Sequence, residues 1–241
     1  MIEAVLFDLD GTLVDTNRAH VEAWIEVFRE HGADRVPPER IAKEIGKGGE
    51  LLVRSILGAR APKRVARRLA ERESVLFRRI VRSRRMHAFA GAVALLDAVR
   101  ARALASALAT SSLKPMLAAL FASVGTDLRR RVDAVVTADD VARAKPHPEP
   151  LYAAADKLGV DPRRCVMVGD TAHDVRAAER ARIASIGLAT GAWKSEELVA
   201  AGASSAWRDP RDLLEHLDRA LERATRGATT RTPRVRRRDG A

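Results

Sequence analysis

The chain has 241 residues, 46% of them hydrophobic and 31% charged, which suits a soluble globular protein with a large core. Lysine and arginine number 43 against 32 aspartates and glutamates, a net charge of +11, and the single cysteine, Cys165, excludes an intrachain disulfide framework. No stretch approaches 18 uncharged apolar residues and the first apolar run begins almost at Met1, so neither a transmembrane helix nor a signal peptide is expected and the chain reads as cytoplasmic.

Short apolar segments alternate with helical patterns, the signature of an α/β protein with a parallel sheet. Strands are expected at Ala4–Phe7, Ala103–Ala109, Ala134–Thr137, Cys165–Val168 and Ile183–Leu188, with a weaker one near Ala203–Ala206. Cys165 sits inside one of these runs and reads as a buried structural thiol. Residues 16–88 break the alternation and look wholly helical. Asn17–His31 starts with polar caps and carries Val21, Ile25, Val27 and Phe28. Pro37-Pro38 opens a second helix, Gly48-Gly49 precedes a third, and Pro62 starts a long Arg-rich helix to about Arg85. A helical block between the first two strands is an inserted domain. The expected organisation is a discontinuous α/β core of residues 1–15 and 89–222, a helical cap of 16–88, and a tail of 223–241.

The tail holds seven Arg and one Asp with almost no large apolar residue, so disorder is expected there. It is either solvated or a docking segment for nucleic acid or an acidic partner. Residues 63–85 contain ten Lys or Arg and two Glu, either a solvated helix face or an anion-attracting cover. An aromatic content of 4% argues against a base-stacking surface.

The chemistry concentrates at strand ends. The first strand delivers Asp8 and Asp10 two residues apart, and Gly11 then breaks it. Both carboxylates can serve one pocket past the carboxyl edge of the sheet, where open α/β sheets bind ligands. A divalent cation offsets their repulsion, and Mg2+ prefers such oxygens. The second strand ends in Thr110-Ser111-Ser112, hydroxyls suited either to phosphate oxygens or to a plain helix cap. Lys145 follows the third strand in a proline-stiffened segment, placed to neutralise an anionic substrate. After the fourth strand come Gly169-Asp170 and, four residues on, Asp174. Asp170 is a candidate cation ligand, while Asp174 is either its support or a helix N-cap.

These four elements, in this order, resemble the motifs of the haloacid dehalogenase superfamily in its phosphatase branch: Asp8-Leu9-Asp10-Gly11-Thr12, Thr110, Lys145, and Gly169-Asp170 with Asp174. The helical insert between the first two motifs resembles the phosphoglycolate phosphatase and β-phosphoglucomutase-like group, with a small α-helical cap on a Rossmann-like core. The resemblance implies a Mg2+-dependent phosphatase acting on a small phosphorylated metabolite. Asp8 is then the nucleophile that becomes an aspartyl phosphate, and Asp10 the general acid and base, which requires a raised pKa. Thr110 and Lys145 hold the phosphoryl oxygens, with Ser111 in support. Mg2+ is held by Asp8, the Asp10 carbonyl and Asp170, with Asp174 behind. The presence of Asp10 argues against dehalogenation. Within the cap, Lys47, Gly48 and Gly49 of the Ile45–Glu50 loop and His20 on the first helix are candidate specificity residues, with a plain helix connection and hinge packing as the alternatives. The two glycines allow close backbone approach to a ligand. A sugar-phosphate mutase shares these motifs, and binding of nucleic acid or an acidic partner through the basic tail is the reading from another class. A monomer or homodimer without membrane contact is expected.

Overall fold

The computed structural model describes residues 1–230. Six strands, β1 (Ala4–Phe7), β2 (Ala105–Ala109), β3 (Ala134–Val136), β4 (Cys165–Gly169), β5 (Ala184–Leu188) and β6 (Ser205–Trp207), form one all-parallel sheet. The order is β3-β2-β1-β4-β5-β6, so its direction reverses between β1 and β4. Side chains leaving the carboxyl ends of those two strands share the crevice that a doubly wound sheet opens at its switch point.

Between β1 and β2 run α1 (Asn17–Glu30), α2 (Pro38–Glu44), α3 (Gly49–Leu57), α4 (Lys63–Ser83) and α5 (Ala92–Ala101). The first four form the helical insert. The later helices are α6 (Lys114–Val124), α7 (Glu149–Leu158), α8 (Ala172–Ala181), α9 (Ser195–Ala200), α10 (Pro210–Glu215) and α11 (Leu217–Thr230).

Alternation along β1 sends Val5 and Phe7 to one face and Ala4 and Leu6 to the other. The first face packs under Leu95, Leu96 and Val99 of α5 and Leu213 and Leu217 of the C-terminal helices. The second is sealed by α7 and α8 through Leu151, Ala154, Ala155, Ala177 and Ala178. Cys165 is buried there as a free thiol, and burial pushes its pKa up to about 11. The apolar side of the insert, including Trp24, Phe28, Leu52, Leu69 and Phe77, continues the first cluster without a break.

Three strands begin later than expected, each behind a residue in the left-handed region: Ala103 at φ 54° before β2, Arg182 at φ 59° before β5 and Gly202 at φ 116° before β6. The expected disorder over residues 223–241 is corrected for its first part, since α11 continues to Thr230. Leu217, Ala220 and Ala224 form a buried stripe at helical spacing, and this apolar face offsets the local excess of arginine. Residues 231–241 of that tail lie outside the described residues. No helix among the described residues is long and apolar enough to cross a membrane.

Candidate active site

Asp8 stands one residue past β1, where its backbone N–H donates to the Val168 carbonyl of β4 at 2.9 Å. The chain then turns through Gly11 at φ +80°, where a Cβ would fall 2.4 Å from both the Asp170 carboxylate and the Asn17 amide. Only glycine allows that turn beside these groups. Asp170 leaves the end of β4 and accepts hydrogen bonds from Thr12 Oγ1 at 3.0 Å and Asn17 Nδ2 at 3.2 Å. Lys145, fully buried ahead of α7, places Nζ 2.6 Å from Asp8 Oδ1 and 2.6 Å from Asp174 Oδ1. The other oxygen of Asp174 accepts from Thr171 N and Oγ1 and caps α8. Thr171 is the N-cap, so Asp174 is the N3 member of its capping box and a partner of Lys145 at once, one oxygen for each.

Oxygens of Asp8, Asp170 and Asp174 lie within 4.8 Å of one another, with one ammonium among them. Burial drives the Asp8 pKa well above its ordinary value; Lys145 opposes this, and Asp174, Asp170 and Asp10 reinforce it. Burial and the Asp174 charge push Asp170 up to about 7 against the hydrogen bonds from Asn17 and Thr12. Lys145 is shifted upward, because Asp174 and Asp8 outweigh its own burial. Asp8 Oδ2 is buried and accepts no hydrogen bond. Both Asp174 oxygens are committed, to Lys145 and Thr171, and both Asp170 oxygens accept from neutral donors, so Asp8 Oδ2 is the one oxygen of the three acids without a partner. A hard divalent cation fits this donor set, and Mg2+ fits it better than a softer metal.

Asp10 occupies a separate nest. Its Oδ1 accepts from Thr16 Oγ1 at 2.9 Å and lies 3.3 Å from His20 Nε2. Its Oδ2 accepts from Ser112 Oγ at 2.7 Å and Thr110 Oγ1 at 3.3 Å. His20 Nδ1 lies 2.8 Å from Glu73 Oε1, so both ring nitrogens face carboxylates. Burial pushes Asp10 up, but the His20, Ser112 and Thr16 contacts outweigh it and hold the carboxyl at about 2. His20, despite its burial, rises to about 10 through Asp10 and Glu73. The shift of Asp10 is thus downward, opposite in direction to the raised pKa expected of it, and that of His20 is upward. Thr110, expected beside phosphoryl oxygens, directs its hydroxyl to Asp10 Oδ2.

The insert seats its Ile45–Glu50 loop on three of the four motif turns. Ser111 Oγ donates to the Gly46 carbonyl at 3.0 Å. A Cβ on Gly46 would lie 2.9 Å from Thr171 Cγ2, and one on Gly48 would lie 2.6 Å from Ala144 Cβ, next to Lys145. A Cβ on Gly49 would lie 2.8 Å from Ala70 Cβ. The close approach these glycines permit is thus made to the protein itself. Lys47 lines the cleft, but its ammonium is paired with Glu44 and donates to Ser55 Oγ at 2.9 Å. Lys43 adds a further tie, reaching Glu197 Oε2 at 2.6 Å, while His173 Nε2 donates to the Lys43 carbonyl at 2.9 Å. Between insert and core lies a cavity of about 1100 Å3 with Asp8 and Asp10 in its lining, and with His20, Trp24, Leu51 and Arg54 on the insert side.

Thr12 entered only as part of the first motif, with no role of its own, and three further residues joined to the site were not singled out by the sequence: Thr16, Asn17 and Glu73. Glu73 had a readable signal, a lone acid in phase with the apolar positions Ala66, Leu69, Leu76 and Phe77.

The haloacid dehalogenase-like hydrolase family profile matches residues 2–182. A protein named "Probable phosphatase IndB" from Dickeya dadantii is 34% identical over 198 residues, 82% of this chain and 85% of that protein. The phosphoglycolate phosphatase of Salmonella paratyphi A is 29% identical over 235 residues, 90% of this chain and 92% of that one. Among solved structures, a hydrolase from Pseudomonas syringae shares 33% identity at a TM-score of 0.82, covering 90% of this chain and 98% of its own.

Proposed function

The chain belongs to the haloacid dehalogenase-like hydrolases and is a phosphatase, and from that premise we propose that it hydrolyses a small phosphorylated metabolite through an aspartyl phosphate on Asp8, with Mg2+ as cofactor. The observation that carries this reading is the Asp8–Lys145–Asp174 chain of 2.6 Å contacts beside Asp170, with Asp8 Oδ2 left bare.

Lys145 fixes the Asp8 carboxylate and offsets its charge, so an anionic phosphoryl group can approach it. An Asp8 oxygen attacks phosphorus, and the bond from phosphorus to the leaving alkoxide breaks. Asp10 delivers a proton to that alkoxide, drawing on the proton that His20 holds 3.3 Å away. Asp10 then takes a proton from water as the water attacks phosphorus. Inorganic phosphate leaves and the Asp8 carboxylate is restored. Asp8 and Asp170 are the side chains that would hold Mg2+, together with the Asp10 backbone carbonyl, and Asp174 keeps Lys145 in place. Bound there, Mg2+ supplies charge neutralisation on the phosphoryl oxygens. Helices α1–α4 act as the cap that excludes water and chooses the leaving group. The phosphatase names of the relatives favour hydrolysis over a mutase.

The test is a panel of phosphate monoesters, phosphoglycolate among them, assayed with Mg2+ and with EDTA. Turnover should appear with Mg2+, vanish with EDTA, and return when Mg2+ is restored. Metal-independent turnover, or none on any ester, overturns the reading.

A further inference from the structure

Glu73 sits where packing alone would place a leucine. It lies on the buried face of α4 with Ala66, Leu69, Leu76, Phe77 and Val81, and it is 5% exposed. A buried carboxylate costs more than it returns unless a partner meets it. That partner is His20 Nδ1, at 2.8 Å. His20 is itself held on two further sides. Its ring stacks on Phe77 with centroids 4.0 Å apart and planes inclined by 14°, and its Nε2 faces Asp10 Oδ1 at 3.3 Å. The terminal torsion of a histidine is broad on its own. Phe77 fixes the plane of the ring, but stacking does not choose which edge points at Asp10. The Glu73 hydrogen bond makes that choice, because only Nδ1 within its reach leaves Nε2 toward Asp10.

We propose that Glu73 is a positioning residue for the acid–base step, acting through His20 to hold the Asp10 carboxylate toward the leaving-group oxygen. The line Glu73–His20–Asp10 ties the long insert helix to the turn after β1. This rests on the reading of Asp10 as general acid. Its consequence depends on the leaving group. An alkoxide departs poorly and needs a proton delivered in line, whereas a nitrophenolate departs without help. General acid catalysis contributes about 10²–10⁴ where it is needed. A carboxylate still present but misaligned should keep part of that.

The experiment compares kcat for an alkyl phosphate and for p-nitrophenyl phosphate at saturating Mg2+ in Glu73→Leu, Glu73→Asp, Glu73→Gln and Asp10→Asn. Glu73→Leu should lose about 10–100-fold on the alkyl ester and less than about threefold on the aryl ester. Glu73→Gln, whose amide oxygen still accepts from Nδ1–H, should recover most of the alkyl rate. Glu73→Asp keeps the charge but withdraws the oxygen by one methylene, and should fall between them. It carries the comparison if Glu73→Leu does not fold. Combined with His20→Ala, Glu73→Leu should add no further loss on the alkyl ester, since both break one line. An equal loss on both esters, or an unchanged alkyl rate in Glu73→Leu and Glu73→Asp, overturns the proposal. If Asp10→Asn also loses the two esters equally, the acid role of Asp10 falls as well. If Asp10→Asn is selective and the Glu73 variants are not, only the role of Glu73 falls.

Discussion

Replacing Asp170 with asparagine should stabilise the metal-free protein while removing its response to Mg2+. Asp170 is buried among Asp8 and Asp174, and its pKa rises from 3.8 to about 7. A carboxyl whose folded pKa lies above its unfolded one supports the fold fully below the unfolded value. That support is lost as pH rises through the folded value. The window here runs from about pH 4 to about pH 7, and at about 1.4 kcal/mol per unit the loss reaches about 4 kcal/mol above it. Asparagine removes this penalty and keeps an acceptor for Thr12, but its amide group meets the Asn17 amide and gives part of the gain back. A net gain of about 1–3 kcal/mol follows at about pH 8, or roughly 3–10 °C in Tm for a chain of this size. Urea unfolding followed by circular dichroism, in EDTA across that window, reads both the gain and its disappearance toward low pH. With Mg2+ at about 100 times its Kd, the wild-type protein should gain about 2.7 kcal/mol and the variant none. A variant less stable than wild type at about pH 8 in EDTA would refute the electrostatic argument, and an undiminished Mg2+ response would refute the ligand assignment.

Asp8→Asn should leave circular dichroism unchanged and lower kcat by several orders of magnitude; more than about a hundredth of wild-type turnover removes Asp8 as nucleophile. Lys145→Met strands Asp8 and Asp174 in the interior and should cost about 3–5 kcal/mol in urea unfolding near neutral pH. The deficit should shrink as the pH falls and Asp8, whose pKa is already raised, takes up its proton. Gly48→Val tests the seat of the insert: its φ of −53° accepts any residue, so only the 2.6 Å approach to Ala144 Cβ forbids a side chain. KM should rise for all esters with little change in global stability, and an unaltered KM would show that the seat does not govern access.

The sheet was legible because β1, β2 and β4 are short, mostly apolar runs that end beside Asp8, Thr110 and Asp170. Strand starts were less so. Ala103 and Arg182 turn the chain in the left-handed region, a role usually signalled by glycine or asparagine. The acids and Lys145 were legible as a set through their order at strand ends. Their division of labour was not, because it depends on which oxygen meets which partner: Asp174 uses one for Lys145 and one for Thr171. Glu73 was hidden for a different reason. Counting charges over residues 63–85 makes α4 a basic helix, whereas following its phase puts one acid on the apolar side. Lys47 was read as a candidate specificity residue; Glu44, three residues before it, was a visible partner, whereas the approach of Ser55 was not.

The seat of the Ile45–Glu50 loop bears on how such proteins can be recombined. Three surfaces of the core are read at once by one short stretch: the Ser111 hydroxyl by the Gly46 carbonyl, Thr171 by the bare Cα of Gly46, and Ala144 by that of Gly48. A helical insert grafted from another protein would have to bring small residues at both glycine positions, whatever the rest of its sequence. A core that carried a larger side chain at position 144 would reject the insert without any change in its catalytic groups. Chimeras should therefore be cut so that the loop and its three seats travel together.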